Sequence, residues 1–198
     1  NGQRLIVGVA PVILPNDTNI VDFEQAALDI WRWDAPYTPP QESVNRKKLR
    51  EHTMPLVIDL ATDKQTLVTG NELVSVTPSD EWNGDNVLLR DPTQWQVTRQ
   101  WDYLAPEELS VLNLSNGVIT PVGVEKSDLN GLSPMGKYVV MFSDRDYYAF
   151  NPATGEKVNI SKGIEFPLWD EDQDIPMDRM PYGMAGWTKN DDRLLVYD

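Results

Sequence analysis

The sequence offers few residue types that could carry out catalysis. It has one histidine, His52, and no cysteine, which excludes thiolate nucleophiles and thiolate metal sites. His52 lies in a polar stretch with no identifiable serine partner, so we expect a surface residue rather than a general base. Residues 131–136 have the spacing Gly-x-Ser-x-x-Gly, whereas a nucleophile elbow needs Gly-x-Ser-x-Gly between a strand and a helix. The sequence therefore predicts no catalytic residue in this chain.

Three carboxylates at alternate positions, Asp170, Asp172 and Asp174, have the spacing of the first half of a calcium-binding loop. Such a loop needs glycine at its sixth position, where this sequence has Ile175, and it needs a later glutamate that is missing here. The run is therefore predicted to be a solvated acidic loop, and a metal site is the weaker alternative. No cofactor is predicted.

Four tryptophans lie in or beside stretches that could form a binding surface. They are Trp82, Trp95, Trp101 and Trp169. Large rings next to polar side chains can stack on sugars or hold the side chains of a peptide. The alternative, favoured by the general preference of large rings for the interior, is that they fill the gaps between packed sheets.

The charge balance limits the possible partners. The chain has 31 acidic and 17 basic residues and a net charge of −14, which argues against a nucleic-acid partner. The basic run at residues 46–50 is predicted to be a solvated linker or helix face. No apolar run approaches the roughly 18 residues of a membrane span. With 40% hydrophobic residues, the chain can still form a substantial core.

Residues 129–161 read as four short strands joined by tight turns, which is an antiparallel meander. Residues 138–142 are apolar at both parities, so both faces of that strand are expected to be buried. Residues 157–160 alternate between polar and apolar, as expected for an outer strand with one wet face. A four-stranded sheet of this kind is typical of a propeller blade.

Three hairpins share the same turn spacing. Asn113 precedes Gly117 by four positions, Asn151 precedes Gly155 by four, and the hairpin at 56–69 has Asp59 and Asp63 at the same offset. A left-handed turn residue explains the glycines, and aspartate is a tolerable substitute. The three hairpins indicate an internal repeat.

The repeat predicts an all-β chain made of antiparallel four-stranded blades, an incomplete β-propeller. We divide it into a blade remnant at 1–70, blades at 71–124 and 125–162, and an insertion with the start of another blade at 163–198. Residues 28–33 are expected to form a strand, and residues 34–53 a long connection with one helical turn. Residues 92–106 and 162–182 are expected to be insertions at the rim of the blades.

Two stretches, Ser-Pro-Met-Gly-Lys at 133–137 with the strand after it and residues 148–156, resemble the propeller repeat of prolyl oligopeptidase family serine peptidases. The same turn pattern occurs in TolB-type propellers. Residues 29–33 and 181–192 are similar to the large propeller-bearing, dipeptidyl peptidase-like members of this family found in Bacteroidetes-type bacteria. Met135 departs from the repeat, which usually has aspartate there.

The resemblance implies a non-catalytic propeller that caps an α/β-hydrolase domain supplied elsewhere and limits its substrates to peptides. The partners would be that hydrolase domain and the peptide substrates, and the compartment would be periplasmic or extracellular. Loops at 15–27, 34–53, 91–107 and 163–182 would gate or recognise the substrate. Some relatives bind a peptide's amino terminus with paired carboxylates, but neither Glu107-Glu108 nor Asp191-Asp192 matches that motif.

Two other functions remain open from the residues alone. One is a TolB-like propeller that binds proteins and has no hydrolase domain, and the other is a carbohydrate-binding propeller that uses exposed tryptophans. Open blade edges also predict self-association of the chain, because unpaired strand edges are templates for pairing.

Overall fold

The computed structural model describes residues 2–12, 21, 24, 28–126 and 129–198, without the side chains of 49 and 50. Within these residues the chain forms thirteen strands and one α-helix, α1 (Pro39–Arg50). The strands are β1 (Arg4–Val9), β2 (Met54–Asp59), β3 (Gln65–Leu67), β4 (Ser75–Pro78), β5 (Asn86–Asp91), β6 (Pro106–Asn113), β7 (Ile119–Lys126), β8 (Asn130–Leu132), β9 (Val139–Ser143), β10 (Asp146–Asn151), β11 (Glu156–Asn159), β12 (Met184–Trp187) and β13 (Leu194–Val196).

The strands form four antiparallel sheets in which neighbours in space are also neighbours in sequence. Sheet I has the order β1-β2-β3, sheet II β4-β5-β6-β7, sheet III β8-β9-β10-β11 and sheet IV β12-β13. The meander predicted for residues 129–161 is sheet III, and sheet II repeats it. The chain is therefore all-β, as predicted, with two four-stranded antiparallel blades between a three-stranded and a two-stranded sheet.

The sheets stack face to face through alternating side chains of their central strands. Val87 and Leu89 on β5 pack with Val57 of sheet I, whereas Leu88 between them packs with Val139 of sheet III. Successive side chains of a strand point to opposite faces, so one strand serves two cores. This explains why its central positions are uniformly apolar.

Sheet III repeats this arrangement between sheets II and IV. Val139 and Met141 face sheet II, while Val140 and Phe142 join a core with Leu194 of sheet IV. These four of the five side chains of β9 are at most 4% exposed. The expectation that both faces of this strand are buried is confirmed.

The three equivalent hairpin turns adopt the backbone conformation that the repeat predicted. Gly117, Gly155 and Asp63 have φ values of 79°, 74° and 56°, all in the left-handed region. In each turn the residue four positions earlier accepts backbone N–H bonds through its side-chain oxygen, as Asp59 does from Thr62 at 2.8 Å. Such Asx turns explain why Asn or Asp stands at that position.

The turns that precede β5, β9 and β13 contact one another in sequence order. The Asp80 N–H donates to the Pro134 carbonyl at 2.6 Å, and the Asn86 amide donates to the Gly136 carbonyl at 2.9 Å. Gly136 has a φ of 76°, and a Cβ there would lie 2.7 Å from the Ser79 Cβ. Glycine is therefore required both by the backbone conformation and by the close approach of the neighbouring turn.

Asp191 ties the next pair of turns together. It is only 3% exposed, and its carboxylate accepts hydrogen bonds from the Ser133 hydroxyl at 2.6 Å and from the Met135 N–H at 3.0 Å. Lys137 adds a bond from its ammonium group to the Asn190 carbonyl at 2.7 Å. A buried carboxylate is tolerated here because its oxygens are satisfied by donors from the neighbouring turn.

Two expectations about the connection between β1 and β2 are wrong. Residues 28–33 form no strand, and the rings of Trp31 and Trp33 are 67% and 91% exposed. Here Arg32 forms a local ion pair with Asp34 instead of pairing with a sheet. Residues 39–50 form the helix α1, whose 12 residues make about three turns rather than one. The predicted loop at 15–27 lies outside the described residues except for 21 and 24.

Candidate functional site

The long connections between strands leave the sheets at one end. Arg4 at the start of β1 donates to the carbonyl of Gly84, just before β5, so these two strands begin at the same end. The connections that follow β1 and β5 therefore both leave from the opposite end. Lys126 at the close of β7 pairs with Asp178, which places the insertion between β11 and β12 at that end as well. We call this the insertion end, and the end with the tight turns the turn end.

Two of the predicted recognition loops meet at the insertion end. The Gln100 amide, in the insertion between β5 and β6, donates to the Ala35 carbonyl just before α1 at 2.8 Å. The Asn71 amide donates to the Thr93 hydroxyl at 2.8 Å, which fixes the start of the same insertion. The segments 34–53 and 91–107 are thus in contact.

A cavity of about 540 Å³ lies between these two segments. We call it the α1 cavity, and its polar walls include Tyr37, Lys48, His52, Glu72, Gln96 and Arg99. Within the described part of the chain, the side chains of Lys48, His52, Glu72 and Arg99 make no hydrogen bond or ion pair. The cavity therefore presents mainly free hydrogen-bond donors.

Sequence reasoning missed this cavity because it treated its cationic walls as separate features. Lys48 belongs to the basic run that was predicted to be a solvated face, and His52 was expected to be an ordinary surface residue. The signal for the helix was present, because Thr38 and Gln41 form a capping box around two prolines at the first helical positions. No signal in the sequence joins α1 to Arg99, which lies about 50 positions further along the chain.

The four predicted tryptophans do not form a single surface. Trp95 and Trp101 belong to the insertion between β5 and β6, where Trp95 is half-buried and Trp101 is 72% exposed. Trp82 lies at the turn end and packs against the core between sheets I and II. Trp169 packs against the core between sheets III and IV, with the Arg145 guanidinium 5.4 Å from its ring centroid.

The acidic run at 170–174 forms a loop that is held together by an arginine. The Arg179 guanidinium donates to the carbonyls of Asp170, Glu171 and Gln173 at 3.1, 3.2 and 2.8 Å. The Asp170 carboxylate accepts the N–H of Asp172 at 3.0 Å, an Asx turn. Among the residues that the structure describes, no group of three or more His, Cys, Asp or Glu side chains is placed to hold a metal ion.

The two carboxylate pairs each divide into one buried and one exposed member. Glu107 is 5% exposed and accepts a bond from the Asn130 amide at 2.8 Å, whereas Glu108 is exposed. Asp191 is buried in the turn contact and Asp192 is exposed. Neither pair presents two adjacent carboxylates to a ligand.

Comparison with known proteins adds little to this description. No protein-family model matches the chain, and no curated protein matches it. Among solved structures it is similar to TolB from Acinetobacter baumannii, with 11% sequence identity and a TM-score of 0.32. The match covers 57% of this chain and 27% of the TolB chain, so it spans about a quarter of that protein.

The resemblance to prolyl oligopeptidases rests on the sequence motifs at 133–142 and 148–156. No helix in the described residues is long and apolar enough to cross a membrane. The geometry provides a set of blade-like sheets with one end tied together by turn contacts and the other carrying long insertions, two of which line the α1 cavity.

Proposed function

We propose that this chain is a non-catalytic recognition module whose insertion end binds peptides. The observation that supports this proposal is the difference between the two ends of the sheets. At the turn end, backbone and side-chain groups are used in contacts between neighbouring turns, as at Asp191. At the insertion end, the side chains of Lys48, Arg99 and Trp101 make no hydrogen bond, ion pair or ring contact with other described residues.

A peptide suits this end because it combines charged groups and apolar side chains on a short chain. The α1 cavity offers hydrogen-bond donors, and Trp101, one position beyond the lining residue Gln100, offers an apolar face. Sites that bind small flexible ligands typically combine apolar surface with a few polar groups. Loops carried on a rigid scaffold are also where binding residues concentrate in proteins.

The test is a titration of fluorescein-labelled peptides of mixed sequence, followed by anisotropy. We expect saturable binding to the chain and weaker binding to Trp101→Ala. The matched control is Met135→Ala, because Met135 is also exposed, at 49%, but lies at the turn end. Absence of binding, or a loss that Met135→Ala shows and Trp101→Ala does not, would contradict the proposal. If the chain bound folded proteins saturably but bound no peptide, a protein-binding propeller would be favoured.

We further propose that the module belongs to a prolyl oligopeptidase-like serine peptidase, where it would gate a hydrolase domain. This part is supported by the sequence motifs at 133–142 and 148–156. Its test is fluorophosphonate labelling of the natural gene product beside the 198-residue chain. Labelling of the gene product and not of the 198-residue chain is expected, and labelling of neither would remove the peptidase from the proposal.

A further inference from the structure

We infer that the α1 cavity binds a carboxylate group of a peptide ligand. The inference rests on the proposed peptide-binding function and names the chemical group that the insertion end recognises. The group can be a peptide's C-terminus or an acidic side chain, because both present the same two oxygens. The experiment below separates the two sources.

The first argument is that two cations without an ion-pair partner line the same cavity. Among the described residues four cations form an ion pair with a carboxylate: Arg4 with Asp85, Arg32 with Asp34, Lys126 with Asp178, and Lys157 with Glu125. Within the described residues, Lys48 and Arg99 form no ion pair, although both line one cavity. Two unpaired cations that share a concave site attract an anion, since their fields add there.

The second argument concerns the charge and shape of the ligand. Lys48 and Arg99 bring two positive charges, and Glu72, which also lines the cavity, offsets one, so a singly charged anion fits the balance better than a doubly charged phosphate. The planar guanidinium of Arg99 can donate two parallel hydrogen bonds to a carboxylate. The Gln96 side chain supplies a further donor from the insertion.

The third argument is the size of the site and its surroundings. A volume of about 540 Å³ exceeds what a carboxylate alone needs and leaves room for the residue that carries it. The Gln100–Ala35 hydrogen bond holds the two walls together and places the exposed ring of Trp101 next in sequence to the cavity lining. The rest of a peptide would then lie toward an apolar surface.

The experiment uses four peptides of one sequence, all with a blocked N-terminus. They differ only in charge, because a free or amidated C-terminus is combined with an internal glutamate or glutamine. Affinities are measured by calorimetry at fixed pH. The single histidine of the chain supplies a second readout, because its imidazole signal in the NMR spectrum reports directly on the cavity wall. We expect acidic peptides to bind and to shift this signal, and the fully neutral peptide to bind roughly tenfold more weakly or worse.

Variants localise the effect. Lys48→Gln and Arg99→Gln are each expected to lower the affinity for the preferred acidic peptide roughly tenfold and to bring it near that of the neutral peptide. Lys189→Gln is the matched control, since Lys189 is an exposed lysine at the turn end. The carboxylate whose replacement by a neutral group lowers the affinity is the one that binds in the cavity, either the C-terminus or the glutamate side chain.

The outcomes separate this inference from the proposed function. If all four peptides bind equally, the carboxylate inference is overturned while peptide binding stands. If no peptide binds, the proposed function fails, and titration with N-acetylglycine decides the inference: a saturable shift of the His52 signal that Arg99→Gln abolishes supports it. No shift with N-acetylglycine in that case overturns it too.

Discussion

At the scale of single residues, the buried polar groups explain how the sheets are aligned. Asp191 and Glu107 are both nearly inaccessible, and both accept a hydrogen bond from a neighbouring sheet or turn. Their sequence neighbours Glu108 and Asp192 are exposed. A sequence pattern cannot distinguish the two members of such a pair, because burial depends on contacts with residues far along the chain, as between Asp191 and Ser133.

Asp191→Asn is expected to destabilise the fold by about 2 kcal/mol. The substitution removes the charge and places an amide N–H₂ against the donors that now bond to the carboxylate, and hydrogen bonds to charged groups contribute about 1.5–3 kcal/mol. Urea unfolding followed by tryptophan fluorescence measures the change. Asp192→Asn, at the exposed neighbour, is expected to stay within about 0.5 kcal/mol. Equal effects of the two substitutions would show that the turn contact contributes little.

The stability supplied by Asp85 is expected to depend on pH. The hydrogen bond from the Arg4 guanidinium holds the pKa of Asp85 below its usual range. A lowered native-state pKa stabilises the fold fully above the unfolded pKa of about 3.9, and this contribution is lost as the pH falls through the native-state value. Asp85 is half exposed, so the contribution stays below about 1 kcal/mol.

The measurement compares unfolding free energies of the native chain and Asp85→Asn at several pH values. The difference is expected to be constant from pH 7 to about pH 5 and to shrink below about pH 4. High salt should reduce it, because the pair is partly solvated. A difference that grows on acidification would contradict this sign.

At the scale of elements, local pattern predicted the hairpins well because turn chemistry and strand alternation agree there. The left-handed residues Gly117 and Gly155 and the meander at 129–161 are as expected. The failures lie in the connection between β1 and β2. Apolar composition suggested a strand at 28–33, but a strand needs a neighbour to pair with, and Trp33 is instead almost fully exposed.

Two glycines with similar backbone angles separate strain from packing. Gly155 has a φ of 74° and open space around its missing Cβ, whereas Gly136 has a φ of 76° and the Ser79 Cβ 2.7 Å from that position. Gly155→Ala is expected to cost about 1–2 kcal/mol from left-handed strain alone. Gly136→Ala is expected to cost about 1–3 kcal/mol more, because Ser79 must also move.

Thermal and urea unfolding of both variants provide the measurement. Asparagine at 155 is the appropriate control, since it tolerates the left-handed region and should restore most of the loss. Equal losses at the two positions would mean that the neighbouring turn yields easily, and the close approach of Gly136 would then be incidental.

At the scale of the whole molecule, the stacked sheets follow from the repeat, but the α1 cavity does not. Repetition fixes which strands pair and which faces are apolar, so the cores between sheets were predictable from residues such as those of β9. The cavity depends on where two insertions of unrelated sequence meet. They are joined by a hydrogen bond from the Gln100 side-chain amide to the Ala35 carbonyl. Such contacts have no period and no local signal.

Self-association is expected through the edge of sheet IV that β13 forms. Leu195 and Tyr197 are 50% and 55% exposed there, beside the edge of β13. Exposed apolar edge strands promote pairing between chains. Light scattering over a range of concentrations should show a rising average mass, which Leu195→Lys lowers. Leu60→Lys, at a 53% exposed leucine between β2 and β3, is the control. A constant monomer mass would contradict this expectation.

The contacts between successive turns have a consequence for how such a chain could arise. Arg4 donates to Gly84, Asp80 donates to Pro134, and Ser133 donates to Asp191, so in each contact the earlier unit donates and the later unit accepts. The contact is therefore directional and never self-complementary. A gene segment that encodes one unit carries both halves of it. Tandem duplication would give copies that dock in a fixed rotation from the first generation, before any substitution had improved the fit.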